Sequence, residues 1–321
     1  MSPTPSRARR LRFLLVIAAL ALGSLVTVTD ASARRPLGEN PDRDFLVHDG
    51  LRRSYVVRVP DSVRASRKPV PLVIVLHGGG GNAVITERMT GFTAMAMKEG
   101  FIVVYPEGTG RREGILLTWN AGHCCGYAMD HDVDDVGFVR SLIDTLSRRY
   151  PIDPKRIYAT GMSNGAMMAH TLGIRLSDRL AAIAPVVGAV FGDEPLPASP
   201  VSALMINGAL DHHIALAGGP PSGPFARAWD GTPTRPAAEQ ALFWARADAC
   251  GPAAQAAEHA PVAHWVQRCP HGRAVERYVL ADNGHAWPGG EAGSRRGDVP
   301  STAIDATDVI WRFFADHPNP P

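Results

Sequence analysis

Beyond Ala33 the chain has no apolar run long enough to cross a bilayer, which excludes a helical membrane protein once that first segment is gone. A surplus of one charge is also missing. The first 33 residues hold Arg7, Arg9, Arg10, Arg12 and a single acid, Asp30; taking these from the 33 bases and 31 acids of the whole chain leaves a net charge of −1. Nucleic-acid binding needs a concentrated basic face, and no such partner is expected here. No repeat of solenoid or propeller length is visible. The glycines at 78–81 are not followed by Lys-Ser/Thr, which argues against a phosphate-binding loop. Cysteine is scarce, with only four among 321 residues. Cys124 and Cys125 with His123 or His131 lack the usual spacing of zinc ligands, so no metal is expected.

The N-terminus is distinctive. Four arginines precede the apolar run "FLLVIAALALGSLVTV", and Ala31-Ser32-Ala33 follows with small residues at cleavage spacing. That order is the order of a secretory signal peptide, residues 1–33, with an uncleaved anchor as the alternative. The paired arginines only loosely match a twin-arginine signal, and no cysteine follows the run to carry a lipid. The expected location is secreted, extracellular or periplasmic, with no membrane association after signal removal. Export permits disulfides, and three pairings of the four cysteines are open. Cys250 and Cys269 flank a Pro/Ala-rich loop that a bridge between them would close. Cys124 and Cys125 are adjacent, and either form a vicinal bridge or stay as buried thiols.

From Val70 onward short apolar runs alternate with amphipathic stretches. "VPLVIVL" and "FIVVYP" are continuous and β-branched, as strands buried on both faces are. "RIYAT", "LAAIAPVVG", "VSALMING" and "ERYVLAD" extend the series. Residues 132–149 set Val136, Val139, Ile143 and Leu146 on one helical face, and 301–315 read as a closing helix. Such alternation predicts an α/β fold with a mostly parallel central sheet and helices on both faces. "RSYVVRVP", residues 53–60, alternates and predicts an antiparallel edge strand. The Gly/Pro-rich stretch 215–236 reads as a loop near a substrate entrance. Residues 34–321 then make one catalytic domain.

In "GMSNG", Ser163 sits between Gly161 and Gly165, after a strand-like run and before a helix-like one. This is the G-x-S-x-G elbow, a strand-to-helix turn too sharp for larger neighbours, which presents serine as a nucleophile. A serine hydroxyl needs a base and the base needs an orienting acid. Asp211 in "INGALDHHI" and His285 in "NGHAWPGG" each follow a strand, in the order Ser, Asp, His. His212 and His213 compete for the base, and Asp282 for the acid. "LHGGGGNA", residues 76–83, offers backbone N–H donors for an oxyanion, from Gly79 or a neighbouring glycine and from Asn164 after the nucleophile. His77 would brace that loop. Asp134 and Asp135 cap the following helix or contact substrate. Trp119 and Trp287 either stack on substrate or pack.

Together "LHGGGGNA", "WNAGHCCG" with "DVDDVGF", "GMSNGAMMAH", "INGALDHHI" and "NGHAWPGG" resemble the secreted polyhydroxybutyrate depolymerase-like and feruloyl esterase family, over roughly residues 45–315. The resemblance implies an α/β-hydrolase fold, ester hydrolysis by Ser163, Asp211 and His285, and no metal or organic cofactor. Family members cleave hydroxyalkanoate polymers, feruloylated sugars or acetylated xylan. The expected substrate is a soluble or oligomeric ester, since the linker and surface-binding module common in polymer depolymerases are not seen. A serine peptidase and a silent binding protein on the same scaffold are the competing functions.

Overall fold

The computed structural model describes residues 43–320 apart from 67, 224–225 and 295–296, and the proposed signal segment lies outside the described residues. In chain order the elements are β1 (Arg43–His48), β2 (Leu51–Arg58), α1 (Asp61–Ser66), β3 (Val70–Leu76), α2 (Ala83–Thr90), α3 (Phe92–Glu99) and β4 (Ile102–Pro106). There follow α4 (Gly126–Asp130), α5 (Asp135–Arg149), β5 (Ile152–Met162), α6 (Asn164–Arg175), β6 (Ala182–Val186) and β7 (Ser202–Gly208). The chain closes with α7 (Ala237–Ala247), β8 (Ala254–His259), β9 (Val262–Arg268), β10 (Ala274–Leu280) and α8 (Ala306–Asp316). All ten strands form one sheet, ordered β1-β2-β4-β3-β5-β6-β7-β10-β9-β8. Its central six, from β4 to β10, run parallel, and both flanks are antiparallel.

Burial explains why the central strands carry unbroken apolar runs. In β3, Leu72, Ile74 and Leu76 pack into one core with Phe138 and Leu142 of α5, Leu172 of α6 and Trp244 of α7. The intervening Val73 and Val75 face the opposite core, with Phe92 of α3 and Ile310 and Phe314 of α8. Side chains alternate across a strand, so both phases must be apolar when both faces are covered.

Two expectations need correction. The alternating strand β2 is not an edge, because β1 pairs outside it and β4 inside it. Alternation marks antiparallel pairing without telling one partner from two, and the short apolar run Phe45, Leu46 and Val47 of β1 is not enough to announce a strand. The Pro/Ala-rich stretch between Cys250 and Cys269 is no loop but the hairpin β8–β9, with β9 paired to β10. Its base is closed by the Cys250–Cys269 disulfide, across a separation of 19 residues. Cys124 and Cys125 are paired with each other.

Asp134 and Asp135 take different roles. Asp134 caps α5 by accepting the Gly137 N–H at 2.8 Å. Asp135 is buried and pairs at 2.5 Å with Arg53 of β2, whose side chain is 2% exposed. The other Asp135 oxygen accepts the Asn120 N–H at 2.8 Å, which ties the loop after β4 to the sheet. Removing one member of a buried ion pair strands the other charge in a low-dielectric interior. Asp135→Ala should therefore lower unfolding stability in urea by about 3–5 kcal/mol, and Arg53→Met/Asp135→Leu should recover most of that loss.

Candidate active site

Four parallel strands end at one edge of the sheet, and each delivers one part of the site. β3 runs into His77 and the glycines, β5 into Ser163, β7 into Asp211 and β10 into His285. Loops at the carboxyl ends of parallel strands open onto a common crevice, so residues far apart in sequence converge there.

Ser163 adopts φ 58 and ψ −123, a conformation that non-glycine residues rarely take. The surrounding backbone enforces it. The Ser163 N–H donates to Val186 O at 3.1 Å, and the Ser163 carbonyl accepts the Ala166 and Met167 N–H groups that start α6. A Cβ on Gly161 would lie 2.7 Å from Gly165 O, and one on Gly165 would lie 2.6 Å from Leu76 O. The two glycines are thus required by backbone-to-backbone contact.

Asn164 does more than its backbone role predicts. Its buried side chain accepts the Trp119 N–H at 2.8 Å and donates to Trp119 O at 3.0 Å, pinning the loop after β4 to the elbow. As the first residue of α6, its own N–H has no helical acceptor. Across from it, a Cβ on Gly79 would lie 3.7 Å from the Asn164 Cβ. Gly80 and Gly81 spend their N–H groups on Leu117 O and Gly78 O. His77 does brace this loop: Nδ1–H donates to Gly78 O at 2.8 Å and Nε2 accepts the Gly108 N–H at 2.9 Å. Burial pushes its pKa from 6.5 down to about 4, so it stays neutral.

His285 Nδ1 lies 2.8 Å from Asp211 Oδ2. The other Asp211 oxygen accepts the N–H groups of His213 and Ile214, both at 2.8 Å, and its side chain is 1% exposed. Those bonds satisfy the carboxylate and fix its orientation. The His285 N–H donates to Asp298 at 2.6 Å. Of the competitors, Asp282 and His212 are exposed, and the His213 ring stands 4.9 Å from that of His285.

Ser163, His285, Gly79 and Asn164 line one cleft of about 740 Å³, with Met89, Leu116 and Trp229 among its apolar walls. Trp119 does not line it. Its ring is fully buried, Nε1–H donates to His77 O at 2.9 Å, and it packs at a tilt against the His77 ring. Trp287 reaches the cleft by one edge, while its Nε1–H donates to Thr307 in the core. Trp229, on the Gly/Pro loop, is the aromatic wall. Among the described residues no His/Cys/Asp/Glu group is arranged to hold a metal, and no helix is long and apolar enough to cross a membrane.

The fold is the α/β-hydrolase fold. The fold is similar to that of acetyl xylan esterase from Aspergillus awamori, at 14% identity and a TM-score of 0.53, covering 82% of this chain and 94% of that one. The crystal structure of sOPH gives 15% identity and a TM-score of 0.55, covering 88% of this chain and 90% of that one. Residues 53–220 match the family described as Esterase PHB depolymerase, and the chain belongs to that family. The matched segment includes Ser163 and Asp211, whereas His285 lies beyond it.

The chain is 33% identical over 172 residues to feruloyl esterase B of Piromyces equi, covering 52% of this chain and 31% of that protein. It is 30% identical over 273 residues to NocK of Nocardia uniformis subsp. tsuyamanensis, named as a candidate esterase, covering 80% and 77%. Against poly(3-hydroxyalkanoate) depolymerase C of Paucimonas lemoignei it is 29% identical over 134 residues, covering 40% and 30%. It thus spans under a third of the feruloyl esterase and of the depolymerase.

A second histidine, His170 of α6, is buried behind the elbow; its Nδ1 accepts the Trp244 Nε1–H at 2.9 Å, and burial brings its pKa to about 4. Both His77 and His170 have folded-state pKa values below the ordinary 6.5. The unfolded chain therefore binds more protons, and stability must fall as pH drops from about 6.5 toward about 4. Urea unfolding at about pH 4.5 should show a loss of roughly 2 kcal/mol per histidine relative to pH 7. His170→Asn should flatten that dependence by about half.

Proposed function

We propose that residues 34–321 form an exported serine carboxylic-ester hydrolase, released from the signal segment 1–33 and acting on soluble or oligomeric feruloyl, hydroxycinnamoyl or short-chain hydroxyacyl esters. The observation that carries this reading is the 2.8 Å Asp211–His285 pair opening onto the cleft that Ser163 lines. Ser163 Oγ attacks the ester carbonyl carbon while His285 Nε2 takes its proton. Asp211 holds the Nδ1–H and stabilises the imidazolium as it forms. The N–H groups of Gly79 and Asn164 receive the oxyanion. Collapse returns the proton to the leaving alcohol, and water activated by His285 then releases the acid from the acyl-enzyme. No cofactor enters these steps.

The names of the relatives agree on ester cleavage and differ in the ester. The cleft of about 740 Å³ is of a size suited to a small-molecule group, which supports a soluble substrate. Polymer depolymerisation is the second reading, supported by Ile115 and Leu116, 55% and 72% exposed, with Leu116 on the cleft itself. Two side chains are a small patch for gripping a solid surface.

Purified enzyme should cleave p-nitrophenyl esters or methyl ferulate, and Ser163→Ala should fold normally while losing at least ~10⁴-fold in kcat. Normal turnover by the folded variant would sink the mechanism. The same panel, extended to acetylated xylan, a peptide amide and polyhydroxybutyrate granules, ranks the alternatives. Slow or absent film erosion beside rapid soluble-ester cleavage is expected; tight granule binding with rapid clearing would favour the polymer reading.

A further inference from the structure

His123 stands apart from the proposed triad, yet it is held on both sides by carboxylates. Its Nδ1 lies 2.7 Å from Asp230 and its Nε2 lies 2.8 Å from Asp193. These acids come from separate segments. Asp193 follows β6, and Asp230 comes directly after the cleft-lining Trp229. The Asp230 N–H also donates to His123 O at 3.2 Å, and Trp229 bridges Cys124. The His123 ring packs on Phe191 with centroids 4.9 Å apart, and Phe191 meets Trp229 edge-to-face at 5.9 Å. Three loops therefore converge on one imidazole, and the cleft wall is part of the same cluster.

We propose that His123 is a specificity-determining positioning residue, whose imidazolium ties Asp193 to Asp230 and so seats Trp229 as the wall against which an extended acyl chain packs. This rests on the ester-hydrolase reading of the cleft. Both ring nitrogens face carboxylates, and only the doubly protonated ring donates to both. A neutral ring aims a lone pair at one carboxylate and releases that loop.

The charged groups around the cluster favour protonation. Hydrogen bonds to Asp230 and then Asp193 raise the His123 pKa above its ordinary value. Glu194 is turned away onto the Phe191 and Gly192 N–H groups, and Arg235 Nε donates to Phe191 O. A raised folded-state pKa means the clamp is present at low pH and lost as pH climbs through that value.

The test uses the full enzyme with p-nitrophenyl acetate, which has no extended acyl chain, and p-nitrophenyl octanoate, which has one. Because His285 serves both esters, its part in the chemistry is common to both terms of the ratio of their KM values. Between about pH 6 and about pH 9 the octanoate-to-acetate KM ratio should rise by at least roughly threefold in the wild type. His123→Asn should show the high ratio at every pH, with the loss falling on octanoate KM more than on kcat. Asp193→Asn/Asp230→Asn, whose amides can accept from or donate to the ring in either protonation state, should abolish the pH dependence. A ratio that ignores pH in the wild type, or a double variant that titrates like the wild type, would overturn the clamp while leaving the esterase intact. If the wild type turns over neither ester, the esterase reading fails and takes this inference with it.

Discussion

The constraint on which the site depends is the approach of two backbones where β3 and β5 end. Leu76 and Gly161 are register partners, and α6 leaves the sheet so abruptly that Gly165 lies against the carbonyls of Leu76 and His77. A side chain at either glycine would push α6 off the sheet, and Ser163 would lose its left-handed conformation and its place at the cleft. Strain of this kind persists only where the surroundings over-determine it. Here they do, through the Val186 carbonyl beneath the serine and the first hydrogen bonds of α6 above it.

A relay of buried polar groups then carries that rigidity outward. The Asn164 amide grips Trp119, the Trp119 indole grips His77 O, and the neutral His77 ring holds the loops after β3 and β4. A few residues away, the Arg53–Asp135 pair anchors Asn120 in the same loop. Every one of these groups would be costly to bury alone. Linked to one another, they make the loop bearing the oxyanion candidate a fixed part of the scaffold.

Much of this was legible in the sequence, for physical reasons. β-Branched runs bounded by turns mark doubly buried strands, and glycines around a serine mark a close backbone approach. What stayed hidden has long sequence separation or weak side-chain signal. The partners of His123 lie 107 and 70 residues away, and that of Arg53 lies 82 away; no local pattern pairs them. The β8–β9 hairpin is Ala-rich, and Ala254, Gln255, Glu258 and His259 of β8 are exposed, so it is defined by its backbone ladder and not by apolar periodicity. Trp119 was ambiguous because a tryptophan beside a motif looks the same whether it braces the loop or meets a ligand. Only its full burial decides.

The outer hairpin also settles which strands present open ladders to solvent. β10, which leads to His285, would terminate the parallel sheet if β9 and β8 were removed, exposing an unpaired row of amides beside the Asp211–His285 pair. Such a row is a template on which another chain can add. With the hairpin in place that risk moves two strands outward, to β8, and the Cys250–Cys269 link fastens both ends of the guard. A segment that lends no side chain to the cleft thus keeps this edge of the sheet from becoming a site of self-association.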